Sequence, residues 1–276
     1  MSESPLALTV GIGGRRWRVG SEQYDLSIPL AFDGAQPAFF GVAPAHGSVV
    51  RAGSFVGDVR EGGSCNCATY VLTPHCNGTH TECLGHITQD RISVHEICAS
   101  ALHLALLVTV DPVPASATTE SSDPRPDAGD MLVTKQALQD AAGRFAEAPF
   151  NALVVRTRPN DEAKRARDYS LEPAAFFSAE AMHWIVAAGI EHLITDLPSL
   201  DRADDGGRLT AHRIFWNMRS GHTTPTSAAR THATVTELAY VPNEIPDGLY
   251  LLNLQVAPFV ADAAPSRPIL SPLTPL

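Results

Sequence analysis

Between Pro74 and His86 the chain reads Pro-His-Cys-Asn-Gly-Thr-His-Thr-Glu-Cys-Leu-Gly-His, which places three histidines, two cysteines and a glutamate within thirteen residues. These side chains bind divalent metals and move protons, because a metal selects neutral imidazole, thiolate or carboxylate. Cys76, His80 and Glu82 share a parity, so in an extended segment they leave the backbone on one face, and Leu84 and His86 continue it. Pro74, Gly78 and Gly85 interrupt a continuous strand, and the glycines allow a tight turn and close approach to a ligand. His75 has the other parity but sits beside the proline bend, which makes it the substitute for Cys76 as first ligand. The stretch reads as half of a divalent-metal site with a histidine working beside it. The other half has to come from the last quarter of the chain.

Aligned on Gly78-Thr79-His80, the same stretch resembles the His-x-Gly-Thr-His-x-Asp-x-Pro-x-His signature of the cyclase family of metal-dependent hydrolases, which includes bacterial kynurenine formamidase and isatin hydrolase. The resemblance implies His80 as the second ligand histidine, Glu82 in place of the ligand aspartate and His86 as the catalytic histidine. Cys76 stands where the family has its first ligand histidine, and Leu84 replaces the proline. Glutamate keeps the carboxylate on a longer arm, whereas a thiolate at Cys76 leans the site toward zinc rather than manganese. The family completes its site with a downstream histidine and glutamate, matched here by His212 and by Glu237, the latter both ligand and catalytic residue. The spacing is lengthened by an apparent insertion, Asn217 to Thr231, so His222 or His232 could replace His212. Asp25-Leu26-Ser27 resembles the family's opening strand, after which an aromatic residue lies over the substrate. Phe39 and Phe40 are the candidates, against the plainer reading of two core phenylalanines. Asp196, at a strand end within the segment Ile190 to Asp201 that resembles another family motif, is either a site residue or a cap.

The implied fold is α/β, a single domain over residues 1–276 with mixed β-structure flanked by helices, of the swivelling β/β/α kind. The implied activity is metal-dependent hydrolysis of a non-peptide amide, N-formyl or cyclic, with His86 as general base. Two other outcomes fit the same scaffold: a degenerate member that binds metal or ligand without turnover, and a metal-dependent lyase or dehydratase. The resemblance also implies a small-molecule amide partner and a homo-oligomer.

Composition agrees with an enzyme of this size. The 276 residues can bury a large core. A net charge of -10 with scattered basic residues opposes nucleic-acid binding. The runs Arg15–Arg18 and Lys164–Arg167 read as solvated faces. Five cysteines, bunched between Cys65 and Cys98, suit reduced thiols in a cytoplasmic protein better than a disulfide framework. Cys65 and Cys67 read as buried structural thiols. Met1 to Pro5 shows no secretory pattern, and the apolar run Ala99–Val110 is too short and polar to span a bilayer.

The remaining elements have to position these groups. Leu6 to Val19 predicts a hairpin turning at Gly11-Ile12-Gly13-Gly14. Strands are expected over Tyr24–Leu30, Ser64–Leu72, Leu104–Pro112, Ala152–Thr157, Ile190–Asp196 and Gly248–Val256, and from Val235 onward. Helices are expected over Glu96–Leu102, Thr134–Ala146 with a threonine cap, and Ser178–Ala188 with a serine cap and Gly189 as stop. His95 and Glu96 are either support for the site or local caps. Ala115–Asp130, rich in Ser, Thr, Asp and Pro, is a surface loop.

Overall fold

Leu102–Val110 and Ala152–Thr157 are buried along almost their whole length, and successive residues enter two different cores, as strands covered on both faces must. Leu106, Val108, Val110, Leu153 and Val155 face one core, while Ala105, Leu107, Ala152 and Val154 face the other. The computed structural model that shows this describes residues 8–12, 14–145 and 148–276. Met1 to Pro5, Leu6 and Ala7 at the start of the expected hairpin, Gly13 of its turn and Ala146 at the expected helix end lie outside the described residues.

The two strands belong to an eleven-stranded sheet. In chain order its members are Thr9–Ile12 (β1), Arg15–Val19 (β2), Tyr24–Asp25 (β3), His80–Cys83 (β4), Leu102–Val110 (β5), Ala152–Thr157 (β6), His192–Thr195 (β7), Thr234–Glu237 (β8), Gly248–Asn253 (β9), Ala263–Pro265 (β10) and Ile269–Pro275 (β11). The order across the sheet is β1-β2-β11-β9-β5-β6-β7-β8-β4-β10, with β3 beside β11. β5, β6, β7 and β8 run parallel, and every pairing outside that centre is antiparallel. Parallel neighbours need crossovers, and helices supply them: Lys135–Ala142 (α2), Ala179–Ala187 (α3) and Thr210–Trp216 (α4), after a single turn at Pro74–Asn77 (α1). Leu138, Met182, Ile185, Phe215 and Trp216 bring α2, α3 and α4 onto the core formed by Leu106, Leu153, Leu193 and Val235. The fold is the expected α/β class with a mixed sheet.

Local chemistry sets the helix ends as expected. Thr134 Oγ1 accepts from Ala137 N at 3.2 Å and Ser178 Oγ from Ala181 N at 2.9 Å. Gly189 follows α3 with φ 78°, the left-handed conformation that favours glycine.

Five expectations need correction. The strand at Tyr24 is only two residues long, because the Asp25 carboxylate takes Ser27 N and Oγ into a local turn. The helix expected over Glu96–Leu102 is the single turn Val94–Ile97, since Leu102 pairs with Asn253 and starts β5. Ala68–Val71 is a strand, but an exposed one, paired with His46–Val49 in a separate ribbon. Cys65 and Cys67 are exposed on the approach to that ribbon rather than buried. The Lys164–Arg167 run is not wholly solvated: Lys164 is buried on Asp196 at 2.8 Å. Asp196 also accepts from Thr157 N and Oγ1, which makes it a structural anchor between β6 and β7. His95 contacts Ser93 Oγ within its own turn at 2.6 Å.

No helix among the described residues is long and apolar enough to cross a membrane.

The first residue of β7 carries a pH prediction. His192 is buried with its ring 3.8 Å from that of His103, and its Nδ1 contacts Thr234 Oγ1 at 2.8 Å. Burial, reinforced by the positive charges of His103, His232 and Arg230, pushes His192 down to about 3. The unfolded chain therefore binds this proton below about pH 6.5 and the native chain does not, so stability is present above that pH and lost as pH falls toward 3. The slope for one group is about 1.4 kcal/mol per pH unit, or about 2 kcal/mol between pH 7 and pH 5. Urea unfolding at both pH values should show this loss, and the loss should shrink by about that amount in His192→Gln. An unchanged difference between the two pH values in the variant would remove His192 from the acid sensitivity.

Candidate metal centre

The histidine-rich stretch folds as three short pieces rather than one extended segment. Pro74 opens α1, where its fixed φ suits the first helical position, and Cys76 N and Asn77 N both donate to Thr73 O. The one-face argument therefore holds only from His80 to Glu82, on β4, with Cys76 on the preceding helical turn. Leu84–Ile87 then tightens into a 3₁₀ turn that carries His86. Thr79 locks the entry to β4, because its hydroxyl donates to Leu238 O at 2.6 Å and accepts from Ile28 N at 2.8 Å.

Strand pairing supplies the second half of the site. β4 lies antiparallel to β8 with His80 opposite Glu237 and Glu82 opposite Val235. Directly opposed residues share a face, and Val235 belongs to the core beneath the helices, so Glu82 points toward α4. His212 enters from that helix. Asp201 fixes it in two ways: its Oδ1 accepts from Ala211 N at 2.7 Å, holding the first turn of α4, and its Oδ2 lies 2.6 Å from His212 Nδ1.

Five metal-capable side chains surround Glu82. His212 Nε2 is 3.0 Å from Glu82 Oε1 and 3.5 Å from Glu237 Oε1. His80 Nε2 is 3.5 Å from Glu237 Oε2. On the other side, His75 Nδ1 is 3.1 Å and His86 Nε2 3.7 Å from Glu82 Oε2. His80, Glu82 and Glu237 form one close group of donors, and His75, Glu82 and His86 form another.

The residues fit a divalent ion, on an observation independent of motif. His80 Nε2, both oxygens of Glu82 and His212 Nε2 are buried and none makes a hydrogen bond within the protein. Their mutual approaches are close but off the line of a hydrogen bond. Buried polar atoms are almost always paired, and an orphaned carboxylate is costly. His80, Glu82 and Glu237 lie close enough together to hold a cation, and His212, outside that close group, reaches Glu82 Oε1 and Glu237 Oε1. Their far sides are fixed in the manner of metal ligands: Asp201 takes His212 Nδ1, Gly78 O lies 3.0 Å from His80 Nδ1, and Leu200 N donates to Glu237 Oε1.

Charge follows the same arrangement. Burial opposes ionisation of Glu82, but the neighbouring His86, His212 and His75 hold it well below the usual carboxylate range. Burial and the Glu82 charge work against Glu237, yet His212 and His80 still lower it. His212 is raised well above the ordinary imidazole range in spite of its burial, by Glu82, Asp201 and Glu237.

The remaining candidates are distributed unevenly. Cys76, expected as the first ligand, is, like His212, in neither close group of donors, and it packs in an apolar cluster with Phe39, Tyr169 and Leu238. Burial and the nearby Glu237 push its thiol up to about 11. His75, the substitute, faces Glu82 instead. Phe39 is core to that apolar cluster, whereas Phe40 is 59 % exposed, at a left-handed φ of 55°. His222 and His232 are exposed; the latter faces Glu191, at the opposite end of β7 from the site. Two supports escaped the sequence reading. Asp201 closes a family-like segment and could have been found there, whereas nothing in Val260–Ala264 marks Asp262, which contacts His75 and His86.

The Cyclase family model, described as Putative cyclase, matches residues 24–202. The chain belongs to the cyclase family. The match holds His80, Glu82 and His86 but ends before His212 and Glu237, which the structure brings to the site. Among curated proteins none matches this cyclase-family chain significantly. Solved structures share its fold at low identity. A predicted metal-dependent hydrolase from Bacillus stearothermophilus is 14% identical, covering 91% of this chain and 98% of that one, with a TM-score of 0.57. Isatin hydrolase A from Labrenzia aggregata, bound to benzyl benzoate, is 14% identical, covering 91% and 93%, with a TM-score of 0.61. An isatin hydrolase bound to the product analogue thioisatinate is 14% identical, covering 92% and 93%, with a TM-score of 0.55.

Proposed function

We propose that this cyclase-family protein is a metal-dependent hydrolase of a non-peptide amide, either an N-formyl arylamine or a cyclic amide, with His86 as general base. The observation that carries the reading is the set of buried, unpaired atoms on His80, Glu82 and His212 beside Glu237. These four residues would hold the ion. Two imidazoles and two carboxylates accept zinc or manganese. With the Cys76 thiol packed in an apolar cluster, the choice between them no longer leans on a thiolate.

When bound, such an ion polarises a carbonyl oxygen and makes water more acidic. The protein's own residues supply the rest. His86 is partly exposed at the rim, with Nε2 toward Glu82 and Nδ1 toward Asp262. An imidazole can take a proton from water as its oxygen bonds to the amide carbon and return it to the departing nitrogen. Leu200 N donates to Glu237 Oε1 and so orients that carboxylate across the strand pair from His80. Isatin hydrolases among the structural neighbours and the kynurenine formamidase resemblance of the motif support an amide next to an aromatic ring as the substrate class. Phe40, exposed beside the buried Phe39, is the aromatic residue free to meet such a ring.

Elemental analysis combined with assays on formanilide and isatin tests this. His80→Ala should lose the metal and the activity together. His86→Ala should keep the metal and lose about 10²- to 10⁴-fold in kcat, the usual contribution of a general base. Full activity in His86→Ala would remove it as the base, and a wild-type protein that takes up no zinc or manganese would end the hydrolase reading.

A further inference from the structure

Asp262 lies one residue before β10, and its backbone is registered on the metal strand, since Cys83 N donates to Asp262 O at 3.0 Å. Its Oδ2 reaches back over the site, 3.0 Å from His75 Nε2 and 3.4 Å from His86 Nδ1. The two rings lie side by side, with centroids 4.3 Å apart and planes inclined by 31°. Their other nitrogens, His75 Nδ1 and His86 Nε2, both face Glu82 Oε2. Two imidazoles therefore stand between two carboxylates, one buried and one at the rim.

We propose that Asp262 is a positioning residue of this site, holding His86 as its Nδ1–H tautomer so that Nε2 is left to accept a proton at the Glu82 end. An ionised carboxylate accepts and never donates; Glu82 is the carboxylate that would hold the ion, so Asp262 Oδ2, 3.4 Å from Nδ1, is the acceptor left for the ring proton of His86. His75 Nε2 hydrogen-bonds the same oxygen at 3.0 Å. Asp262 hydrogen-bonds His75 as Asp201 does His212 and Gly78 O does His80, the arrangement that fixes ring orientation around metals, and the same carboxylate oxygen lies 3.4 Å from His86 Nδ1. The proposal rests on the hydrolase reading only for its kinetic consequence. There His86 Nε2 takes the proton from water as the new carbon–oxygen bond forms, and delivers it to the amide nitrogen as the carbon–nitrogen bond breaks.

Asp262→Asn tests this with nearly the same shape, because an amide can donate to His86 Nδ1 and so releases the ring from the Nδ1–H form. Long-range proton–nitrogen NMR of the zinc-loaded, full-length protein labelled in its histidines should show the Nδ1–H pattern for His86 in the wild type. Asp262→Asn should shift it toward Nε2–H, and Asp262→Glu, which keeps a carboxylate, should retain the wild-type pattern. On formanilide or isatin, Asp262→Asn should lower kcat about 10- to 100-fold, the usual effect of losing an outer hydrogen-bond partner, with KM and zinc content essentially unchanged and with most of kcat recovered in Asp262→Glu. The same His86 tautomer in wild type and Asp262→Asn would overturn the proposal. So would an effect confined to KM or zinc content. If wild type turns over neither compound, the hydrolase reading falls while the tautomer measurement still decides the role of Asp262.

Discussion

Glu82→Gln should yield a protein that retains no metal and that, compared without metal, is less stable than the wild type near neutral pH. Glu82 is fully buried and neither of its oxygens makes a hydrogen bond. An ionised carboxylate taken out of water costs several kcal/mol unless partners offset it, and here the imidazoles at 3.0 to 3.1 Å supply the offset, holding Glu82 well below the usual carboxylate range. A neutral amide of the same length gives up that attraction. It also removes the one residue common to both groups of donors. The wild type should gain stability with zinc by mass action, about 4 kcal/mol at a thousandfold excess over the dissociation constant, and the variant should gain none. Loss of the ion's charge stabilisation predicts a fall in hydrolysis of about 10³-fold or more. Thermal melting with and without zinc, beside elemental analysis, reads both effects. A Glu82→Gln protein that holds zinc at one per chain would show that the site does not depend on this carboxylate.

The second large effect concerns stability alone. Lys164 and Asp196 form an ion pair at 2.8 Å with both residues buried, and the ammonium also donates to Thr157 O and Oγ1. Breaking such a pair from one side leaves an uncompensated charge and costs about 3–5 kcal/mol. Lys164→Met should lower the stability measured by urea unfolding by that amount. Asp196→Asn introduced on top should restore part of it, because the stranded carboxylate is gone while an acceptor for Thr157 N remains. If the double variant is no better than Lys164→Met, the loss comes from packing rather than charge. The segment that carries Lys164 continues to Tyr169, which packs against Cys76 and Phe39, so the single variant should also loosen the apolar wall beside the site.

What the sequence made legible here were the features governed by neighbours along the chain. The threonine cap of α2, the serine cap and glycine stop of α3, and the strand Ala152–Thr157 appear where local chemistry placed them. The Gly-Thr-His stretch announced metal chemistry through density alone, and the family motif supplied the order of roles. Features that depend on distant partners were harder to see. Parity put Cys76 on one face with His80 and Glu82, but Pro74 starts a helical turn that ends the extended run before the strand begins. Lys164 looked like part of a solvated basic run because Asp196 is 32 residues away. Asp262 carries no local signal at all. Only the pairing of β10 with β4 brings it to the histidines.

The position of β4 in the sheet has a consequence for when the centre can exist. β4 is flanked by β8 and β10, both from far later in the chain than His80 and Glu82 themselves. A growing chain that has emerged as far as residue 202 already carries His75, His80, Glu82 and His86, but neither His212 nor Glu237, and no neighbour for β4 on either side. Contacts that join distant segments form late and slowly. An ion held jointly by His80, Glu82, His212 and Glu237 would then be captured only once the strand carrying Glu237 is made.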